Sequence, residues 1–119
     1  KRGQREHALL WLRHGHRHWL VQRPDTGVWA GLWSLPEFSS TTALDEATAD
    51  WPGQGQWLPS IDHALTHFDW TLHPLMWRWP PQRKTLPALA DAGQGRWLTL
   101  DEALALGLAA PVRKLLQSA

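Results

Sequence analysis

Early in the chain, apolar positions gather into two short runs, His7-Ala-Leu-Leu-Trp-Leu12 and Trp19-Leu-Val-Gln22, divided by Arg13-His-Gly-His-Arg17. Both runs favour strands and the divider carries Gly15, so the pattern predicts a β-hairpin. Arg23-Pro-Asp-Thr-Gly27 is a breaker cluster, and Val28 to Pro36 reads as a partly extended loop with a short strand. Ser39-Ser-Thr-Thr42 offers several N-cap candidates, with Thr42 and Asp45 spaced as a capping box for a short helix that ends by Pro52. Residues 60–67 and 70–79 form two further strand-like runs joined at Leu65-Thr-His-Phe-Asp69. Pro80, Pro81 and residues 82–95 predict a loop, and Arg96-Trp-Leu98 a last strand. Thr99 and Glu102 make a capping box for a helix over Leu100–Leu106, which Gly107 stops. Ala109–Gln117 predicts a closing helix, with Pro111 in its first turn and Val112, Leu115 and Leu116 on one face. This order predicts an α/β fold: one domain, residues 1–119, with a mixed β-sheet flanked by helices.

Composition narrows the class. The 119 residues suit a single hydrophobic core. No apolar run reaches the roughly 18 residues of a membrane span, and the opening Lys-Arg-Gly-Gln-Arg-Glu leads into no signal segment. The expectation is a soluble cytoplasmic domain with no membrane partner. The chain lacks an initiating Met, so it is expected to be a piece of a longer protein, with residues 1–5 the remnant of an interdomain linker. Zero cysteines exclude a disulfide framework, a thiolate nucleophile, an iron–sulfur cluster and a cysteine-based zinc site within these residues. The formal charge is only +1, but it is unevenly spread. Lys1, Arg2, Arg5, Arg13, Arg17 and Arg23 face Glu6 alone in the first stretch. No Lys or Arg occurs between Arg23 and Arg78, where Asp25, Glu37, Asp45, Glu46, Asp50, Asp62 and Asp69 fall. Any DNA-facing surface must therefore be local. Ten tryptophans read mainly as core and strand residues; exposed together on one face, they would instead form a stacking platform.

Two segments carry a family resemblance. Gln22-Arg-Pro-Asp-Thr-Gly-Val-Trp-Ala-Gly-Leu-Trp-Ser-Leu-Pro-Glu-Phe38 resembles the stretch after the first hairpin in the C-terminal domain of MutY-type A/G-specific adenine DNA glycosylases. Gly107-Leu-Ala-Ala-Pro-Val-Arg-Lys-Leu-Leu116 resembles that family's last helix. Between them, His63-Ala-Leu-Thr-His-Phe68 falls where the family carries its lesion-sensing loop, commonly Phe-Ser-His after a preceding His. The resemblance covers essentially the whole chain and implies a Nudix-like (MutT-like) fold. Nudix hydrolases place Gly, then Glu, then Arg-Glu-apolar-any-Glu-Glu so that helical carboxylates hold magnesium at a pyrophosphate. Here Gly31 and Glu37 match the first half. Asp45 stands in place of the Arg, Glu46 matches, Ala49 replaces the first Glu of the final pair, and Asp50 stands for the second. With a cationic position turned acidic and one carboxylate lost, the motif reads as degenerate, and no metal site is expected.

The resemblance implies a role in base-excision DNA repair: lesion recognition for an adenine glycosylase that removes adenine opposite 8-oxoguanine. The parent polypeptide would be a hydrolase cleaving the adenine–sugar bond, with a 4Fe–4S cluster in an N-terminal catalytic domain; this chain would carry no catalytic residue and no cofactor. Its expected partners are duplex DNA bearing 8-oxoguanine opposite adenine and the parent's own catalytic domain, with the protein monomeric and nucleoid-associated in a bacterium. 8-Oxoguanine presents an N7–H donor where guanine has a bare N7 acceptor. Thr66, in place of the family Ser, has a hydroxyl able to accept from that N–H, though a hydroxyl can also donate to guanine N7. Leu65, in place of Phe, can wedge between base steps, and His67 can donate to a phosphate. The plain alternative is a strand end with a core Leu, a hydrogen-bonded Thr and a satisfied His. Arg23 and Trp29 are secondary candidates: either they touch DNA, or Arg23 anchors its loop and Trp29 the core. His14, His16 and His18 read as exposed turn histidines, not ligands. A free-standing Nudix hydrolase of oxidised nucleoside triphosphates is the second reading.

Overall fold

The computed structural model describes residues 3–83, 85, 87 and 95–118. The first apolar run lies inside a long strand, β1 (Gly3–His14). Along it Leu9 and Trp11 pack into one core layer while Ala8, Leu10 and Leu12 pack into another, and all are buried. A strand covered on both faces reads as a continuous apolar run rather than an alternation. β2 (Arg17–Gln22) returns antiparallel, with Arg13 opposite His18. The turn between them needs Gly15 at φ +61°, a region that costs a residue with a β-carbon. Of the three histidines expected in this turn, only His16 is exposed. His18 falls on β2, is buried, and accepts the Trp11 Nε1–H on Nδ1 at 2.9 Å.

β3 (Trp33–Ser34) pairs antiparallel with the end of β2, and β4 (Glu37–Phe38) pairs antiparallel with β1, the split occurring at Pro36. α1 (Thr41–Thr48) is capped by Ser40, whose hydroxyl accepts from the Ala43 N–H at 3.0 Å. The Thr42–Asp45 capping box is not formed, because Ser40 is the extended residue at the helix start and Thr42 already lies in the first turn. β5 (Gln54–Trp57), β6 (Ile61–Ala64) and β7 (Phe68–Arg78) follow. β7 runs parallel to β1, from Gly3 opposite Phe68 to Arg13 opposite Arg78. β6 lies antiparallel to the start of β7 and β5 to its end. Gly3, Gln4 and Arg5, assigned above to a linker, are thus paired sheet residues. β5 has no counterpart in the sequence reading: Gln-Gly-Gln-Trp is exposed throughout, and it is the edge of β7 that makes it a strand.

β8 (Gly95–Thr99) pairs with β2; the rest of the expected 82–95 loop lies largely outside the described residues. α2 (Leu100–Leu104) has the expected Thr99–Glu102 capping box. It ends short of Leu106 because the chain beyond it is drawn onto β3. There Trp33 N–H donates to Gly107 C=O at 2.8 Å and Ala109 N–H to Trp33 C=O at 3.0 Å. α3 (Ala110–Gln117) has Pro111 in its first turn and sets Val112, Leu115 and Leu116 against Leu9, Trp11 and Leu20. The sheet therefore lies between a layer shared with α2 and α3 and a layer holding Leu44 of α1. No helix among the described residues is long and apolar enough to cross a membrane.

Candidate nucleic-acid interface

The parallel pairing of β1 with β7 and the β6–β7 hairpin bring the start of the chain beside the Leu65–His67 segment. Arg5, Trp70 and His63 stand opposite one another across β1, β7 and β6, so their side chains share one face of the sheet. Trp70 is buried and donates its Nε1–H to His7 Nδ1 at 2.8 Å. With Nδ1 accepting, the neutral ring carries its proton on Nε2, which lies 3.8 Å from Glu37 Oε2.

The loop after β2 closes over this row. Its backbone is held by Arg23 N–H to Leu32 C=O at 2.8 Å and Gly31 N–H to Pro24 C=O at 2.9 Å. Gly31 sits at φ +74°, which accounts for glycine at that point of the motif. Arg23 threads the loop: Nε donates to Val28 C=O at 2.9 Å and Nη1 reaches Glu37 Oε1 at 3.2 Å. Trp29 takes a left-handed backbone at φ 54°, unusual for a bulky residue and costing about 1–3 kcal/mol. What holds it there is stacking: its ring lies 5.2 Å from Trp70 at 10° and 5.1 Å from His63 at 56°. Arg23 and Trp29 therefore hold the loop and the core, and they converge with His63 and Phe68 on Trp70.

Leu65–His67 forms the tight connection between β6 and β7. Leu65 N–H donates to Phe68 C=O at 2.9 Å, and the His67 carbonyl accepts from Gly3 N–H at 3.3 Å. Leu65 is half-buried against the first core layer, while Thr66 and His67 are exposed. Arg5 lies 4.1 Å over the Phe68 ring, which places a cation beside the turn. Arg5 and His63 also line a cleft of about 700 Å³ at this end of the sheet, together with the carboxylates of Glu6, Asp62 and Asp69. Sequence reading missed His7, His63, Phe68 and Trp70 as organising residues; their only signal was a shared period-2 position in strands whose pairing it did not know.

The acidic positions of the degenerate motif do not assemble. Glu37 is on β4, engaged by Arg23 and His7, and not on a helical face with the others. Asp45 and Glu46 on α1 and Asp50 just after it are exposed. Among the described residues no three His, Cys, Asp or Glu side chains are grouped as a metal site. A magnesium site of the hydrolase kind needs several oxygens converging on the ion, and the residues present do not fit one.

This sheet, its flanking helices and the Gly31-to-Glu37 loop define a class. The family model of the NUDIX domain matches residues 7–118, and the chain belongs to that family. Among solved structures it is similar to the C-terminal domain of mouse MUTYH in a complex with human PCNA (22% identity, TM-score 0.65, 94% of this chain and 84% of that one covered). It is similar also to the MutT NUDIX hydrolase from Burkholderia pseudomallei (17% identity, TM-score 0.68, 96% of each chain). A third is Shewanella oneidensis NrtR complexed with a 27mer DNA (20% identity, TM-score 0.65, 94% of this chain and 57% of that one). At these identities the likeness shows a shared fold, a mixed sheet flanked by helices.

Proposed function

We propose that this chain is the lesion-recognition domain of a MutY-type adenine DNA glycosylase, acting on 8-oxoguanine opposite adenine and doing no chemistry itself. The observation that carries the reading is the placement of Thr66 and His67: exposed on a short turn, pinned by backbone hydrogen bonds at Leu65 and His67, with Arg5 at its side. In this reading Leu65 seats the turn on the core and the Thr66 hydroxyl accepts from N7–H of the lesion. The pinned backbone limits the directions that hydroxyl can take, which is what lets it prefer a donor over guanine's bare N7. His67 donates to a flanking phosphate. Arg23 and Trp29 act indirectly, fixing the loop and the aromatic stack that support the turn. Adenine hydrolysis, and the 4Fe–4S cluster, belong to the parent's N-terminal catalytic domain. Likeness to the mouse MUTYH C-terminal domain supports this reading, as does likeness to a Nudix-fold protein crystallised with DNA.

Thr66→Ala combined with His67→Ala, made in the enzyme carrying this domain, is expected to lower its preference for adenine opposite 8-oxoguanine over adenine opposite guanine by about tenfold, in keeping with roughly 1–3 kcal/mol per base contact. Single-turnover excision on the two duplexes measures it, and an unchanged ratio removes the turn from the mechanism. A free-standing Nudix hydrolase of oxidised nucleoside triphosphates is the second reading, favoured by full-length likeness to a MutT hydrolase; the dispersed carboxylates count against it.

A further inference from the structure

At the opposite end of β1 the sheet gathers positive charge for which neither the fold nor the reading turn has a use. Arg13 stands directly opposite Arg78 in the parallel β1–β7 register, so the two guanidiniums leave the same face as neighbours. Like charges placed opposite in a sheet oppose each other, and burial together with Arg78 holds the Arg13 guanidinium below its ordinary value. No carboxylate among the described residues lies within ion-pair distance of either. Arg13 packs its guanidinium 5.4 Å from the Trp11 ring and reaches only a sulfur, Met76 Sδ, at 3.8 Å. Its Nε is buried without a hydrogen-bond partner. A cleft of about 320 Å³ lined by Arg13, His16, His18 and, at its rim, Asp101 opens beside Arg13, and one of about 400 Å³ lined by Arg78, Gln54 and Gln56 beside Arg78.

We propose that Arg13 and Arg78 form an anion site that takes a phosphate group, bridging the two guanidiniums. Paired guanidiniums match phosphate because each presents a planar fork of donors, and a bound dianion or phosphodiester removes the repulsion between them. The site lies roughly 33 Å along β1 from Gly3, at about 3.3 Å per residue, far from the Thr66 turn. It does not depend on lesion reading. The phosphate can belong to a DNA backbone or be free in solution, and the test separates the two.

Two measurements compare the chain with Arg13→Gln/Arg78→Gln and with a control that loses the same charge at exposed positions, Arg83→Gln/Lys114→Gln. In the first, an undamaged labelled duplex is titrated across salt concentrations. The Arg13/Arg78 variant is expected to bind about five- to tenfold more weakly at low salt, with the slope of log K against log salt shallower by about 0.9 for one lost phosphate contact. The control should change binding less. In the second, inorganic phosphate is added at constant ionic strength while the Arg13 Nε–H resonance is followed. A saturating shift there without an effect on duplex binding assigns the site to free phosphate; a duplex effect assigns it to the DNA backbone. No shift together with a duplex effect no larger than the control's overturns the proposal. Thermal melting in phosphate-free buffer guards against misfolding: relieving the repulsion should leave the variant's Tm equal to or above that of the unaltered chain.

Discussion

Trp11 and His18 meet inside the core, indole N–H to imidazole Nδ1, and burial of that imidazole couples stability to pH. Burial first, and the neighbouring Arg13 second, push the His18 pKa down to about 4 from its ordinary 6.5. A histidine depressed in the folded state takes up its proton more readily when the chain is unfolded. Its effect on stability is therefore flat above pH 6.5 and grows as pH falls towards 4. Over that window the loss grows progressively, at no more than about 1.4 kcal/mol per pH unit for a single proton. His18→Gln keeps an acceptor for Trp11 but cannot titrate. Urea unfolding from pH 7 to 4 should show a distinctly shallower decline for this variant, and parallel curves would mean that another group sets the acid limit. None of this was readable from His-Gly-His-Arg-His, where burial of one imidazole depends on β2 being covered on both faces, with Leu20 in one core layer and Trp19 and Val21 in the other.

Elements show the same division. The hairpin, α2 with its capping box and α3 with its apolar stripe were legible, because Gly15, Thr99–Glu102 and Val112–Leu115–Leu116 are local signals. β5 and the division of β3 from β4 were not, since short exposed strands are made by the edges they join. β8 is defined by a close approach: a β-carbon on Gly95 would run into the ring of Trp19, itself buried. Gly95→Ala should then force that ring or β8 to move, at a cost of about 1–3 kcal/mol. Thermal unfolding followed by circular dichroism measures it; an unchanged Tm would show that Trp19 has room to yield.

For the molecule as a whole, the Nudix scaffold is shared by repair domains and hydrolases, so the fold does not select between them; the carboxylates offer a test that can. Glu37 is held by Arg23 and His7, and Asp45, Glu46 and Asp50 face solvent. With no converging oxygens for magnesium among the described residues, nucleoside triphosphates with or without an 8-oxo group are expected to be hydrolysed no faster than background. Phosphate or pyrophosphate release with millimolar magnesium tests this, and turnover at the ordinary enzyme range of about 1–1,000 per second would reverse the order of the two readings. The site residues divide likewise. Thr66 and His67 were legible as a junction between two strands, whereas the ties of Arg23 to Val28 and Glu37 and of Trp29 to Trp70 were not.

The sequence alone determined the hydrophobic runs, the caps, the absence of cysteine chemistry and the broken order of the carboxylate motif, because each depends on residues near one another in the chain. Which of these residues meet depends on the folded chain. The parallel pairing of β1 and β7 joins residues more than sixty positions apart, and nothing local encodes a partner at that distance. That one pairing places Arg5 beside the Thr66 turn at one end of the sheet and sets Arg13 against Arg78 at the other.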